Sequence, residues 1–467
     1  MTGTDFVFTG PTLQPAQVGA LLPAAQILPP VRHGDLLRLD PGAGDRVLII
    51  DGLFLQSAAV RHREILYLLQ RGVTVAGSSS MGALRAAELW QFGMRGFGEI
   101  FRLYRDGVID GDAEVAIVHG TAEDSYRAYS DPLVSIRIAL LEAASAAAIS
   151  DQEARQLLQL AAAIPFRSRS FRALDAVARE HLPVARADAF TQWRSAHDTD
   201  AKAADARLML AAAAGGDPGL CPAGAGDQPI RHVHTRLLDL WEHRFHGAGV
   251  DGEWVADADA ATAIRLAHPG FPAAHRRHIL ARVTGFPADH PALVEHAAVA
   301  ARVRGLVAPD AEQATSWLTE RDLAKPADEV LATLLVRAFG TLSGQPGHTK
   351  WTLPPQMRTP VTLAWGRAFV AAARRCNERL LTPVAGSPRR QFRPEVIDRT
   401  VARLWECEIS DIEERLWDRG IADVAELRRM AEPFVAHLKT YGSPSIPAES
   451  LPPATPRATA KEPAWPT

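Results

Sequence analysis

Lysine is the scarcest of the charged residues. Of 51 lysines and arginines in 467 residues, only Lys202, Lys325, Lys350, Lys439 and Lys461 are lysines, and the first 201 residues contain none. Cysteine is rarer still. Cys221, Cys376 and Cys407 are odd in number and far apart, which argues against a disulfide framework and against a Cys-x-x-Cys zinc site. No apolar run approaches a membrane-spanning length, and the first residues lack the basic-then-apolar layout of a signal peptide, so cytoplasm is the expected compartment. An excess of charge is missing too. A net charge of −3 and a pI near 6.6 give no electrostatic case for nucleic acid or an anionic membrane surface. There is no internal repeat and no sustained heptad, and neither a Walker lysine nor a Gly-x-Gly-x-x-Gly stretch marks a nucleotide site.

What remains is an ordinary globular composition, 47% hydrophobic and 22% charged, in a chain long enough for two domains. Phe6-Val7-Phe8, Gln26-Ile27-Leu28, Arg46 to Ile50 and Val73 to Ala76 are short apolar runs that read as strands. Between the last two, Arg61 to Gln70 places Ile65, Leu68 and Leu69 on one helical face. Strands alternating with helices imply a parallel sheet covered by helices. From Leu133 to about Leu210 the pattern is helical and alanine-rich, and Gly215 to Pro229 reads as a linker or long loop. Later segments such as "DEVLATLLVRAF" and "RPEVIDRTVARLWE" have helical apolar spacing. The expected fold is an α/β N-terminal domain followed by an all-α C-terminal region and a disordered tail. The expected boundaries are 1–210 for a core with its helical extension, 211–229 for the linker, 230–441 for the helical domain and 442–467 for the tail.

One corner stands out. "GSSSMGALRAAEL", residues 77–89, closes a strand with three serines and opens a helix at Ala83 to Leu89. A serine there can cap the helix, worth about 1 kcal/mol, or serve as a nucleophile on a strand-to-helix turn. Such turns are crowded and need small residues on both sides. Ser80 has Ser78 two residues before it and Gly82 two after. The N–H groups of Met81 and Gly82 would sit at a helix N-terminus, where an oxyanion or a phosphate is favoured. His62-Arg63-Glu64 supplies a base, a cation and an acid on one helix, or a solvated charge cluster. Asp110, Asp112 and Glu114 alternate at strand spacing, which suits a magnesium site or an acidic turn before a strand. His232, His234, His243 and His246 match no standard ligand spacing, so no metal site is expected.

The strings "GPTL", "LPPVRHGDLLRL", "IIDGLF", "HREIL", "GSSSMGALRAAELWQFGM", "YRDGVI", "DAEVAIVHG" and "VSIRIAL", in this order over about residues 5–140, resemble the TfuA-like protein family. The resemblance implies a partner of YcaO-type enzymes, which activate a backbone amide with ATP so that sulfur can replace its oxygen. It implies that the chain hydrolyses a thiocarboxylated ThiS-like carrier protein through a Ser-Lys dyad and helps its partner bind a ribosomally made precursor peptide, with no cofactor of its own. Carried onto this chain, the serine is Ser80. The family's His-Lys-Glu-Ile-Leu stretch is His62-Arg63-Glu64-Ile65-Leu66, so Arg63 stands where the dyad lysine would be. Asp51, Arg85, Glu88, Asp112, Glu114 and His119 fall in the other matching strings, with Gly111 and Ala113 interrupting the family's consecutive aspartates. A guanidinium stays charged at any working pH, whereas a desolvated ammonium can lose its proton. Arg63 could still stabilise an alkoxide or orient the anionic thiocarboxylate, and His62 could act as base. No other lysine is expected in the core. Two outcomes follow: a hydrolase that delivers sulfide, or an impaired module that binds and activates its YcaO-type partner.

Overall fold

The computed structural model describes residues 3–53, 57–217, 228–230, 235–303, 317–342, 353–381 and 391–447. The chain forms two compact units, Met1–Trp241 and Glu242–Thr467.

In the first unit, β1 (Asp5–Phe8), β2 (Gln26–Leu28), β3 (Arg46–Ile49), β4 (Thr74–Ser78) and β5 (Arg95–Phe97) build one sheet in the order β2-β1-β3-β4-β5. Every pair in it is parallel. The connections run through α1 (Pro15–Leu21), α2 (Asp35–Leu39), α3 (His62–Gln70) and α4 (Met81–Leu89). The sheet grows in one direction from β1 to β2 and in the other from β3 to β5. Right-handed crossovers therefore place α1 on one face and α3 on the opposite one. That reversal makes a topological switch point between β1 and β3, and a crevice opens there beyond the carboxyl ends of the strands.

Side-chain alternation along the strands feeds both faces. Val7, Leu48, Ile50 and Ala76 point to a layer formed by Val18 and Leu22, from α1 and the residue after it, and by the alanine-rich helix at Ala201–Ala214. Between the sheet and that late helix the chain makes α5 (Gly98–Arg105), α6 (Leu133–Ser145), α7 (Asp151–Ala163), α8 (Phe171–His181) and α9 (Val184–Ala196). The last four share a core of their own, in which Ile136, Leu140, Leu157, Leu174 and Phe190 meet. The helix Ala201–Ala214, α10, then returns to the sheet. It buries Ala203, Ala206, Met209 and Leu210 there, and Asp205 accepts hydrogen bonds from the Glu99 and Ile100 N–H groups at the start of α5.

The "VIDGDAEVAIVHG" stretch does not form the strand its alternation suggests. Asp112–Glu114 is a single 3-10 turn, and the only pairing that follows is one bridge from His119 to Ala128. Val115 is buried, and its neighbours wall a cavity instead of extending the sheet.

The second unit is mostly helical, with one two-stranded antiparallel hairpin, β6 (Gly247–Val250) and β7 (Glu253–Ala256). Its main core gathers Trp365 and Phe369 from one helix with Trp405 and Phe434 from later segments. Two buried guanidiniums tie the chain at residues 265–268 to that at 419–420. Arg265 donates to the Arg419 and Gly420 carbonyls, and Arg419 donates back to those of Arg265 and His268. Among the described residues, no helix is long and apolar enough to cross a membrane.

Candidate active site

The corner at residues 77–82 is shaped by two glycines. A Cβ on Gly77 would lie 2.1 Å from the Gly82 carbonyl oxygen, and one on Gly82 would lie 1.7 Å from that of Ile49. Only hydrogen fits at either place, so the end of β4 and the start of α4 press together against β3. Between them the backbone is forced. Ser79 has φ +69°, and Ser80 sits outside the helical region at φ −117°, ψ −119°.

This geometry sends the three hydroxyls to different places. Ser79 Oγ donates to the Lys202 carbonyl at 2.7 Å and lies 3.2 Å from Ser78 Oγ. Ser80 makes no side-chain cap of α4; it lines a cavity of about 540 Å³. The Gly82 N–H donates to the Ile50 carbonyl at 3.3 Å, so it is engaged within the fold, whereas Met81 N–H has no hydrogen-bond partner among the described residues.

The other walls of the cavity come from the switch point. Pro11 follows β1, Asp51 and Gly52 follow β3, and Asp112, Val115, Ile117 and His119 come from the irregular stretch before α6. Lys202 enters from α10. Asp51 is buried and fully occupied by the turn after β1. Its Oδ2 accepts from the Gly10 and Thr12 N–H groups at 3.0 and 2.9 Å, and its Oδ1 accepts from Thr12 Oγ1 at 2.6 Å. Lys202 Nζ is 3.9 Å from Asp51 Oδ1 and 3.5 Å from the Val115 carbonyl. Burial pushes the Lys202 ammonium below its ordinary pKa, while the nearby charges of Asp51 and Asp200 oppose that shift.

Lys202 corrects the expectation that the core holds no lysine. It lies 122 positions after Ser80 in the chain, on a helix whose alanine-rich sequence reads as plain packing. Docking of α10 against the sheet brings its side chain to the serine corner. The one available signal was scarcity: Lys202 is the first lysine in the chain and is flanked by alanines.

His62 and Arg63 are elsewhere. Together with Arg61, Leu66, Phe92 and Trp241 they line a separate cavity of about 500 Å³ that Ser80 does not reach. His62 Nε2 is 2.8 Å from Glu88 Oε2, and Arg85 bonds the same carboxylate and the Val60 carbonyl. Burial would raise the Glu88 carboxyl, but hydrogen bonds from His62 and Arg85 hold it below the usual range. Glu64 is fully buried and serves the backbone, accepting from Gly34 N–H and Arg61 N–H and contacting His33 Nδ1 at 2.7 Å. The His-Arg-Glu triplet is thus divided between a surface network and a structural anchor.

Asp112 and His119 do share the Ser80 cavity, whereas Glu114 pairs with Arg137 at 2.6 Å. His232, His234 and the side chain of His243 lie outside the described residues, and among the described residues no cluster of metal-ligating side chains forms. An amine that shares a cavity with a serine hydroxyl can accept its proton when it is neutral, which is the requirement for acyl transfer to that serine.

No curated protein matches the chain. Residues 51–170 match the model of the TfuA-like protein family, and that stretch carries Asp51, Ser80, Asp112 and His119.

Proposed function

We propose that this chain is a sulfide-releasing partner of a YcaO-type enzyme in backbone thioamidation of a ribosomally made peptide. In this role it hydrolyses a thiocarboxylated ThiS-like carrier with Ser80 as nucleophile and Lys202 as base. The observation that carries the reading is the shared cavity. Ser80, Lys202 and Asp51 all line it, at the place where doubly wound sheets bind ligands.

The chemistry is acyl transfer. Neutral Lys202 takes the Ser80 hydroxyl proton as the oxygen attacks the thiocarboxylate carbon. The tetrahedral intermediate collapses with loss of the C–S bond, and Lys202 returns the proton to sulfur, which leaves as hydrosulfide. A water, deprotonated by the same amine, then attacks the Ser80 ester. The amine gives that proton back to Ser80 Oγ, and the carrier departs as a carboxylic acid that loses its proton to water. Met81 N–H, which has no hydrogen-bond partner among the described residues, is the donor assigned to the oxyanion. The alternative, an impaired module that only binds and activates its partner, rested on Arg63 standing where a lysine is needed. Lys202 in the cavity supplies an amine that Arg63 cannot, which favours the hydrolase reading.

The test is sulfide release from a thiocarboxylated carrier by the natural protein and by Ser80→Ala. Release that depends on Ser80 supports the reading. Release at the natural rate without Ser80 would leave the serine a structural residue.

A further inference from the structure

Lys202 faces two cavities. Beside the one that holds Ser80 lies a second, of about 360 Å³, lined by Thr12, Ser130, Asp131, Ser135, Arg194 and His197, and Lys202, Pro11 and Ile117 border both. The residue is held from both ends. Its backbone carbonyl accepts from Ser79 Oγ, and its Nζ reaches the Val115 carbonyl at 3.5 Å. The nearest carboxylate oxygen, Asp51 Oδ1, is 3.9 Å away. A charge-assisted N–H···O bond is about 2.7–2.9 Å long, so the pair stops about 1 Å short of closure. The oxygen that faces the amine is the one that accepts from Thr12 Oγ1 at 2.6 Å.

We infer that Thr12 is a positioning residue that, by donating its hydroxyl proton to Asp51 Oδ1, keeps the carboxylate from closing onto Lys202 Nζ. The inference rests on Lys202 acting as the base of the Ser80 site. A buried ammonium in tight contact with a carboxylate stays protonated and is useless as a base, whereas one held at a distance loses its proton more readily. The two backbone donors, Gly10 N–H and Thr12 N–H, fix Oδ2 and set the carboxylate's orientation, and the hydroxyl takes up the remaining oxygen. Other charges around the amine are Asp200 at the start of its own helix, Asp112, His119 and Arg167 across the first cavity, and Asp131, Arg194, His197 and Asp198 across the second. Among the described residues none of these is within ion-pair distance of Lys202 Nζ, so Asp51 is the partner whose approach decides its charge.

Five lysines make the amine directly observable. Protein carrying lysine labelled with carbon-13 at Cε gives few enough signals to follow each through a pH titration, and the signal absent from Lys202→Met identifies Lys202. In Thr12→Val, which keeps the shape and the backbone N–H but removes the hydroxyl, the Lys202 midpoint is expected to rise by on the order of one pH unit. Thr12→Ser restores the donor and should return it to the natural position, while Asp51→Asn should lower it. A Thr12→Val midpoint that is unchanged or lower overturns the proposal, as does a Thr12→Ser midpoint that follows Thr12→Val. Circular dichroism on each sample confirms that the comparison is made on folded protein. Sulfide release by the natural protein is measured alongside. Its absence would overturn the hydrolase function, whereas the titration midpoints judge Thr12 independently of it.

Discussion

Ser78, Ser79 and Ser80 are chemically alike, and their surroundings alone separate them. Ser79 is bound to the α10 backbone, so Ser79→Ala should loosen that docking at a cost of about 1–2 kcal/mol in chemical denaturation. Ser80→Ala removes a hydroxyl that caps nothing and faces the cavity. It should leave the unfolding midpoint nearly unchanged and cut hydrolysis by about a thousandfold or more. An equal loss of stability in both variants would mean that Ser80 is structural as well. Ser80 was legible in the sequence because its setting is local: a strand, small residues and a helix within a dozen positions. Lys202 was not, because its meeting with Asp51 depends on where a helix more than a hundred residues later docks. Arg63 shows the converse. It lies within a recognisable string, yet α3 carries it to a cavity other than that of Ser80.

At the scale of elements, the site depends on how closely β4, α4 and α10 approach one another. Gly82→Ala would drive a methyl group into the Ile49 carbonyl, so it should cost more than about 3 kcal/mol and be read as a large loss in thermal unfolding temperature. The contact of α10 with α5 has its own pH dependence. Burial outweighs the hydrogen bonds from Ile100 and Glu99 and raises the Asp205 carboxyl to about 6. The folded protein therefore binds a proton at Asp205 that the unfolded chain, with its carboxyl near 3.8, gives up. This group's contribution to stability is fully present below the unfolded value and is lost as pH rises through 6. Over that window it amounts to about 3 kcal/mol. Urea unfolding at pH 7.5 and pH 5 should show the natural protein gaining stability relative to Asp205→Asn on acidification. An equal response in both would exclude Asp205 as the source. The five strands also show what periodicity can and cannot convey. The four apolar ones were readable, while β5, Arg95–Phe97, is too short and too polar to announce itself. The acidic stretch at 110–119 has strand alternation but packs over the cavity, because the sheet ends at β5.

At the scale of the whole molecule, the family match and the site do not coincide. The matched stretch, residues 51–170, contains Ser80 and Asp51 but neither Thr12 nor Lys202, which come from the segments on either side of it. The sheet assembles the site from segments that the family resemblance alone does not unite. Because Ser80 is almost fully buried, it offers no surface to a partner. Ser80→Ala should therefore be retained by a YcaO-type partner in a pull-down as well as the natural protein is, even though hydrolysis is lost. Loss of both together would place Ser80 in the binding surface instead. The most direct test of the central claim compares Lys202→Met with Arg63→Ala in sulfide release from a thiocarboxylated carrier. Lys202→Met is expected to fall by about a thousandfold or more while Arg63→Ala stays within about threefold of the natural protein. Natural release from folded Lys202→Met, or its abolition in Arg63→Ala, would contradict the assignment of Lys202 as the base.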